Sequence, residues 1–406
     1  MRKLFFLLLC IWETLNAQEW PSMVCYNTVN LNIVKERIKY NDLYYKDAFD
    51  SLINEASQLL SFIPNPVVNK RLMPPSGDKH DYLSIAPYFW PNELTSDGMP
   101  WIPKDGVVNP MSRGDDTDFS RTSEMFDALD KLSLAYIFSC EKKYLIKAQE
   151  IVDVWFVSPE TKMNPNTNYG QSVPGGIEGR PLGIIEWGIG SLITSIQLLK
   201  HEKISSDSFN RKVDEWLEKY LYWLLNSKLG KEEDAQPQNH GNWYDYKVLT
   251  LQLYLRHIKE AKEHISLISK KRIENQISLD GAQPYELRRT KSVYYSEMNL
   301  RAMTLIAELA KQVGIDLWNY RAPNGQSIDL AYDWLRPYVY GDKEWSWKQI
   351  TPGGIPAAMD TRMKPLFSIG STLKGEYLYE PNKGYHNTLN YIQRLKYPPL
   401  KDLINE

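Results

Sequence analysis

The sequence predicts an all-α protein, an (α/α) toroid of about six to seven helical hairpins whose long loops gather into a cleft. Three observations lead there. Apolar residues recur at three- and four-residue spacing over most of the 406 residues. Strand-like alternation is sparse. Two long polar loops, 70–118 and 158–180, interrupt the helical pattern. A helix with one apolar stripe buries it by pairing with a neighbour through a short turn. Closing such pairs into a ring collects the long loops at one end. A generic helical bundle is the alternative, and no fixed repeat period supports a solenoid.

The elements follow in order. Met1-Arg2-Lys3, the apolar run from Leu4 to Trp12 and the stretch Leu15-Asn16-Ala17 have the order of a signal peptide cleaved after Ala17. The apolar run is too short to span a bilayer. A single domain over 18–406 is then expected, exported to the periplasm rather than lipid-anchored at Cys10. An amphipathic helix is expected from Leu31 to Phe62, with Val34, Ile38, Leu52, Ala56 and Leu59 on one face, stopped by Pro64 and Pro66. Tyr82, Tyr88, Phe89, Trp90 and Trp101 make loop 70–118 an ordered one that covers something. Helices are expected over about 122–137, 144–157, 182–199, 206–225, 246–264 and 297–313, with shorter ones near 328–338 and 385–395.

Composition narrows the function. A net charge of -2 leaves no basic excess to neutralise phosphates, which excludes nucleic acid as a partner. The 26 Tyr and 13 Trp fit a core of large side chains or a sugar-binding cleft equally well. Beyond the leader no run is apolar enough to be a membrane span. Cys25 and Cys140 are too few for a thiolate metal cage, and two free buried thiols are expected.

Four stretches carry chemistry. The first is Gln238-Asn239-His240-Gly241-Asn242-Trp243-Tyr244-Asp245, a polar cluster at the mouth of the helix expected from Tyr246. The second runs from Glu286-Leu287-Arg288-Arg289 to Tyr294-Tyr295-Ser296. The third is Ser76-Gly77-Asp78-Lys79-His80-Asp81-Tyr82 with Ala86-Pro87-Tyr88-Phe89-Trp90-Pro91. The fourth is Gly170-Gln171-Ser172-Val173-Pro174-Gly175-Gly176, leading to Glu178-Gly179-Arg180. Asn, His, Arg and Tyr together suit β-elimination on a uronic acid polymer. Donors must stabilise the enolate-like charge that grows on the C6 carboxylate when the C5 proton leaves. An amide and a guanidinium fork do this, while a base takes the C5 proton and an acid protonates the O4 leaving group. A tyrosine beside a guanidinium, its pKa lowered, serves either role; a neutral histidine is the alternative base. Taken singly, each of these residues is equally at home as a helix cap, a core aromatic or a solvated basic turn.

From about Ser76 to Ile350 these motifs resemble the alginate lyase domain family of bacterial polysaccharide lyases. The resemblance implies an incomplete (α/α) barrel and β-elimination without a metal or other cofactor, acting on an anionic uronic acid polysaccharide. It makes Asn239 the carboxylate-neutralising amide and His240 the second neutraliser, or the base where the C5 proton lies on the opposite face. Tyr295 becomes the acid and, for syn elimination, also the base. The family's arginine falls on Arg289 or Arg288, with Arg289 preferred for its Arg-Thr context. His80 and Tyr82 belong to a lid over the cleft. Trp90, Trp243, Tyr244, Arg288 and Tyr294 are expected against the substrate, with Glu178 and Arg180 as subsite residues. Tyr294 stands where the family has a histidine. Alginate is the first expectation for the polymer and glucuronan the second.

Three rivals remain. A glycoside hydrolase on the same toroid needs two carboxylates ~5 to 9.5 Å apart, for which Glu178, Glu186, Asp115 and Asp116 are available. A non-catalytic glycan-binding protein of the envelope would use the aromatic surfaces alone. A metal enzyme would draw on Asp115, Asp116 and Asp118.

Overall fold

The computed structural model describes residues 22–176 and 178–404; the signal peptide expected over 1–17 lies outside them. Helices α1 (Thr28–Lys39) and α2 (Leu43–Leu59) occupy the stretch expected as one. The break is local. Asn41 takes a left-handed backbone, φ 57°, which asparagine tolerates better than most residues, and the Asp42 side chain accepts from the Tyr44 N–H to start α2 afresh. The chain continues through α3 (Phe119–Ser139), α4 (Lys143–Val152), α5 (Ile189–His201), α6 (Asp207–Asn226), α7 (Lys228–Asp234), α8 (Asn239–Tyr254), α9 (Ile258–His264), α10 (Lys270–Gln276), α11 (Pro284–Leu287), α12 (Ser292–Lys311), α13 (Ile328–Tyr340), α14 (Gly354–Ala358), α15 (Lys364–Lys374), α16 (Tyr391–Lys396) and α17 (Leu400–Ile404). Helices α7 and α10 lie where no helix is expected, because their charged sequences show no apolar stripe.

The protein is all-α, as expected. Its long helices pack in chain order: α2 on α3, α3 on α5, α5 on α8, α8 on α12, α12 on α15, with α16 back against α2. Helix α8 has 13 of its 16 residues buried. A helix enclosed on all sides cannot leave polar side chains to water.

The two long loops are joined to each other. β1 (Leu83–Ile85) of the first pairs in parallel with β4 (Tyr169–Ser172) of the second. Within the first, β2 (Phe89–Trp90) pairs antiparallel with β3 (Ile102–Pro103). An ion pair ties the ends of the first loop together. Lys70 Nζ lies 3.0 Å from Asp118 Oδ2, with both side chains fully buried. Asp118 also accepts from the Leu83 N–H at 2.9 Å and faces Arg121 at 3.3 Å. Asp118 is thus a structural anchor, and Asp116 pairs with Arg71 at 3.5 Å. Among the described residues Cys25 and Cys140 form no disulfide. Cys140 corrects the expectation of buried thiols: it is exposed, and its left-handed backbone (φ 60°) closes α3. Among the described residues no helix is long and apolar enough to cross a membrane.

Removing one partner of a buried ion pair strands the other charge, at a cost of about 3–5 kcal/mol. Asp118→Ala is therefore expected to lower unfolding free energy by that amount in denaturant titrations. A loss below about 1 kcal/mol, the range of exposed pairs, would show that solvent already screens Lys70.

Candidate active site

The polar stretch around His240 is not a loop before a helix; it is the first turn of α8. Gln238 caps it, its side-chain oxygen accepting from the His240 N–H at 3.0 Å. Three members of the motif are structural. A Cβ at Gly241 would lie 2.4 Å from Arg272 Nη1 and 2.5 Å from the Gln236 carbonyl oxygen, so only glycine fits. Arg272 lies there because it pairs with Asp245 at 2.8 Å and Asp234 at 2.7 Å. Burial opposes ionisation of Asp245, but His264 and Arg272 outweigh it and hold the carboxyl below its usual range. Asn242 donates to Gln276 (2.6 Å) and Asn299 (2.7 Å), fastening α8 to α10 and α12.

Asn239 and His240 are both buried, and each is held by a glutamate. The Asn239 backbone N–H and side-chain Nδ2 donate to the two oxygens of Glu286, each at 2.8 Å. His240 Nδ1 lies 2.6 Å from Glu233 Oε1. Glu286 sits at the end of α11, and its charge also acts on Arg289 and His240. The Arg289 guanidinium stacks 3.8 Å over the Tyr295 ring. Asn239, His240, Arg289 and Tyr295 thus come together where α8 meets α11 and α12. The first long loop closes on them. Tyr295 OH donates to Tyr88 OH at 2.9 Å, and Asp105 accepts from Arg289 Nη2 at 2.7 Å and from the Thr290 N–H at 3.1 Å.

The electrostatics correct one expectation. Burial, with the Tyr88 phenol adding to it, pushes the Tyr295 phenol far above its ordinary range, and the lowering by Arg289 does not compensate. Desolvation disfavours the phenolate more than one stacked guanidinium favours it. Asp105 behaves oppositely. Burial raises it, but Arg289 and Thr290 bring it down to about 2.

The remaining candidates scatter. Arg288 is exposed and stacks on Tyr285 at 4.5 Å, leaving Arg289 as the arginine beside Tyr295. Tyr294 meets Tyr295 edge-on, and its ring carries the Arg362 guanidinium at 4.1 Å. Arg180 stacks over Phe89 at 4.9 Å and feels the charge of Glu233. Trp90 is half-buried and donates to the Val107 carbonyl at 2.9 Å; Trp243 is half-buried beneath Arg301. Tyr82 and Tyr244 are enclosed rather than presented to a ligand. Tyr82 donates to Glu186 at 2.9 Å and Tyr244 to the Leu224 carbonyl at 2.9 Å. His80 is bound to the Lys162 carbonyl at 2.6 Å, and Glu178 is exposed and pairs with Lys228 at 3.3 Å. Four residues of the site escape the sequence argument as individuals: Glu233, Glu286, Tyr88 and Asp105. For Glu233 a usable signal exists, because Leu229 and Glu233 stand four apart behind a Ser227 cap and so share one buried face of α7.

The matched region of the alginate lyase family model runs over residues 67–345, which includes Asn239, His240, Arg289 and Tyr295. The chain belongs to the alginate lyase family. It is a polysaccharide lyase. A crystal structure of an alginate lyase from Bacteroides ovatus is 31% identical, with a TM-score of 0.82 over 93% of this chain and 97% of that one. Two structures of alginate lyase A1-III from Sphingomonas species A1 share the fold at 13% identity. Each is a variant complexed with a tetrasaccharide. One covers 84% of this chain and 86% of its own, with a TM-score of 0.56; the other covers 85% and 94%, with a TM-score of 0.52. The chain matches no curated protein.

Glu186 lies behind this site. It accepts from Tyr82 OH at 2.9 Å and Ser84 Oγ at 2.6 Å, and burial raises its carboxyl to about 6. The folded state therefore binds this proton more tightly than the unfolded chain does. The stability this contributes is complete below the unfolded value and is lost as pH rises through about 6. Glu186→Gln is expected to remove up to about 2 kcal/mol of that decline. Denaturant titrations of both proteins at about pH 4 and about pH 7 check it. An unchanged difference between the two pH values would mean that Glu186 is solvated in the folded protein.

Proposed function

We propose that the protein cleaves 1,4-linked polyuronates, alginate first and glucuronan second, by β-elimination without a metal. The observation that carries this is the meeting of an amide, an imidazole, a guanidinium and a protonated phenol at the N-terminal end of α8. Asn239 supplies an N–H and Arg289 a guanidinium to the C6 carboxylate, where the transition state gathers negative charge. Tyr295, kept protonated by burial, gives its proton to the O4 leaving group as the bond to C4 breaks. A C5 proton on the face of Tyr295 is taken by the small phenolate fraction, whose own proton has gone to solvent, and the phenol so formed returns that proton to O4. A C5 proton on the opposite face is taken by His240 through Nε2, the nitrogen not engaged by Glu233. The signal-peptide pattern of 1–17 supports action in the periplasm, where the polymer arrives from outside.

The support for alginate is the Bacteroides ovatus relative, an alginate lyase by name. A hydrolase would need a second carboxylate opposite Glu186. Glu178 is exposed and engaged with Lys228, and Asp105, whose charge reaches the Tyr295 phenol, is bound to Arg289 and Thr290.

Incubation with polymannuronate, polyguluronate and glucuronan, each with EDTA, is expected to raise ultraviolet absorbance as unsaturated uronate forms. Tyr295→Phe should lower the rate by about 10²- to 10⁴-fold, the range of general acid–base catalysis. Reducing ends without absorbance would establish hydrolysis instead. Binding without cleavage would establish a glycan-binding protein.

A further inference from the structure

We propose that Glu233 and Glu286 are positioning residues that fix which hydrogens Asn239 and His240 present to the substrate. The proposal rests on the elimination chemistry above. Both carboxylates are enclosed, at 0% and 1% exposure. Their hydrogen bonds go to the two site residues: Glu233 to His240 Nδ1 at 2.6 Å, Glu286 to Asn239 N and Nδ2 at 2.8 Å each. Among the described residues neither is within ion-pair distance of a lysine or arginine. Lys247 and Arg180 act on Glu233, and Arg289 on Glu286, only from beyond that distance, and a buried carboxylate without a close lysine or arginine is costly to keep for packing alone.

An ionised carboxylate only accepts hydrogen bonds. Glu233 therefore requires the proton on His240 Nδ1, which leaves Nε2 as the atom that meets the substrate. Glu286 requires Asn239 to turn Nδ2 toward it. That fixes the second Nδ2 hydrogen and sets the Asn239 Oδ1 apart, where it finds no partner among the described residues. Without Glu286 the amide can rotate and point its oxygen at the uronate carboxylate, replacing attraction with repulsion. Burial raises the Glu286 carboxyl, and the two bonds from Asn239 work against that rise. Each glutamate also comes from a short helix, α7 or α11, outside the α8–α12 contact. The pair is thus clamped from both sides.

Glutamine keeps the size of each glutamate but brings an N–H that can face either partner. Glu233→Gln admits the other histidine tautomer. The equivalent aspartate-to-asparagine change beneath a catalytic histidine lowers kcat about 10⁴-fold in serine proteases. Here Glu233→Gln and Glu286→Gln are each expected to lower kcat at least about 10²-fold, with KM and thermal midpoint little changed. Glu233→Asp should recover more activity than Glu233→Ala, since it restores an acceptor. Nitrogen NMR of histidine-labelled protein reads the tautomer directly. His240, assigned from a His240→Gln variant, should show a protonated Nδ1 in the wild type, lost in Glu233→Gln. A wild-type His240 protonated at Nε2 alone overturns the proposal, as does a Glu→Gln pair with wild-type kcat. If the wild type raises no absorbance on any polyuronate, the elimination reading fails, while the NMR spectrum still decides whether Glu233 sets the tautomer.

Discussion

The bond between Glu286 and the first residue of α8 is the constraint from which the site follows. Helix α8 is enclosed along nearly its whole length, yet its first two turns read Asn-His-Gly-Asn-Trp-Tyr-Asp. Most polar groups there find a partner inside the protein, since an unpaired buried polar group costs about 1–3 kcal/mol; among the described residues Asn239 Oδ1 and Trp243 Nε1 do not. The partners come from all around. Glu286 meets Asn239, Glu233 meets His240, Gln276 and Asn299 meet Asn242, and Arg272 and His264 meet Asp245. These contacts place α7, α9–α11 and α12 around one helix end. The same contacts that satisfy burial also remove rotational freedom from the side chains that chemistry requires, so stability and preorganisation have one cause.

The second half of the site is brought by the loops, and its hold is of a different kind. Loop 70–118 is closed at its base by the buried Lys70–Asp118 pair and at its tip by Asp105, which is bound to Arg289 and Thr290 near the surface. The base is enclosed and the tip is half-exposed. Exposed ion pairs contribute little and are screened by salt. The loop is thus firmly rooted and lightly fastened over Tyr295. The Asp105 carboxylate holds the guanidinium that stacks on Tyr295, so the loop tip and the site share one cation.

Much of this is legible in the sequence, and the limits have physical reasons. Periodicity finds the long helices because each buries one stripe. It misplaces the start of α8, where a helix buried on all sides carries polar residues at positions a stripe would make apolar. It merges α1 and α2, since Asn41 interrupts the backbone without disturbing the apolar spacing. It passes over α7, and with it Glu233, because a run of Lys-Glu-Glu-Asp reads as a solvated turn. Asn239, His240, Arg289 and Tyr295 are found as residue types suited to one reaction. Their glutamate partners are not, because burial is a property of the folded chain. The direction of the Tyr295 shift fails for the same reason: the guanidinium is visible in the sequence, the desolvation is not.

The aromatic content shows how composition divides once the fold is known. Trp155, Tyr45, Tyr136, Tyr144, Tyr220 and Tyr332 are among the largest fully buried side chains, and Trp187, Trp216, Tyr220 and Trp223 form a contiguous cluster behind the second loop. Two of its indoles are hydrogen-bonded to that loop, Trp216 to the Met163 carbonyl and Trp223 to Asn168. These rings use their apolar faces for packing and their polar tips to pin backbone that no regular element supports. Much of the tyrosine and tryptophan content therefore belongs to the core and to its contacts with the second loop. The rings that meet at the candidate site are few: Tyr88, Tyr294 and Tyr295, with Phe89 under Arg180. Two of the three tyrosines carry a guanidinium on one face. Cations thus lie over aromatic rings here, and the rings are not left as bare stacking platforms.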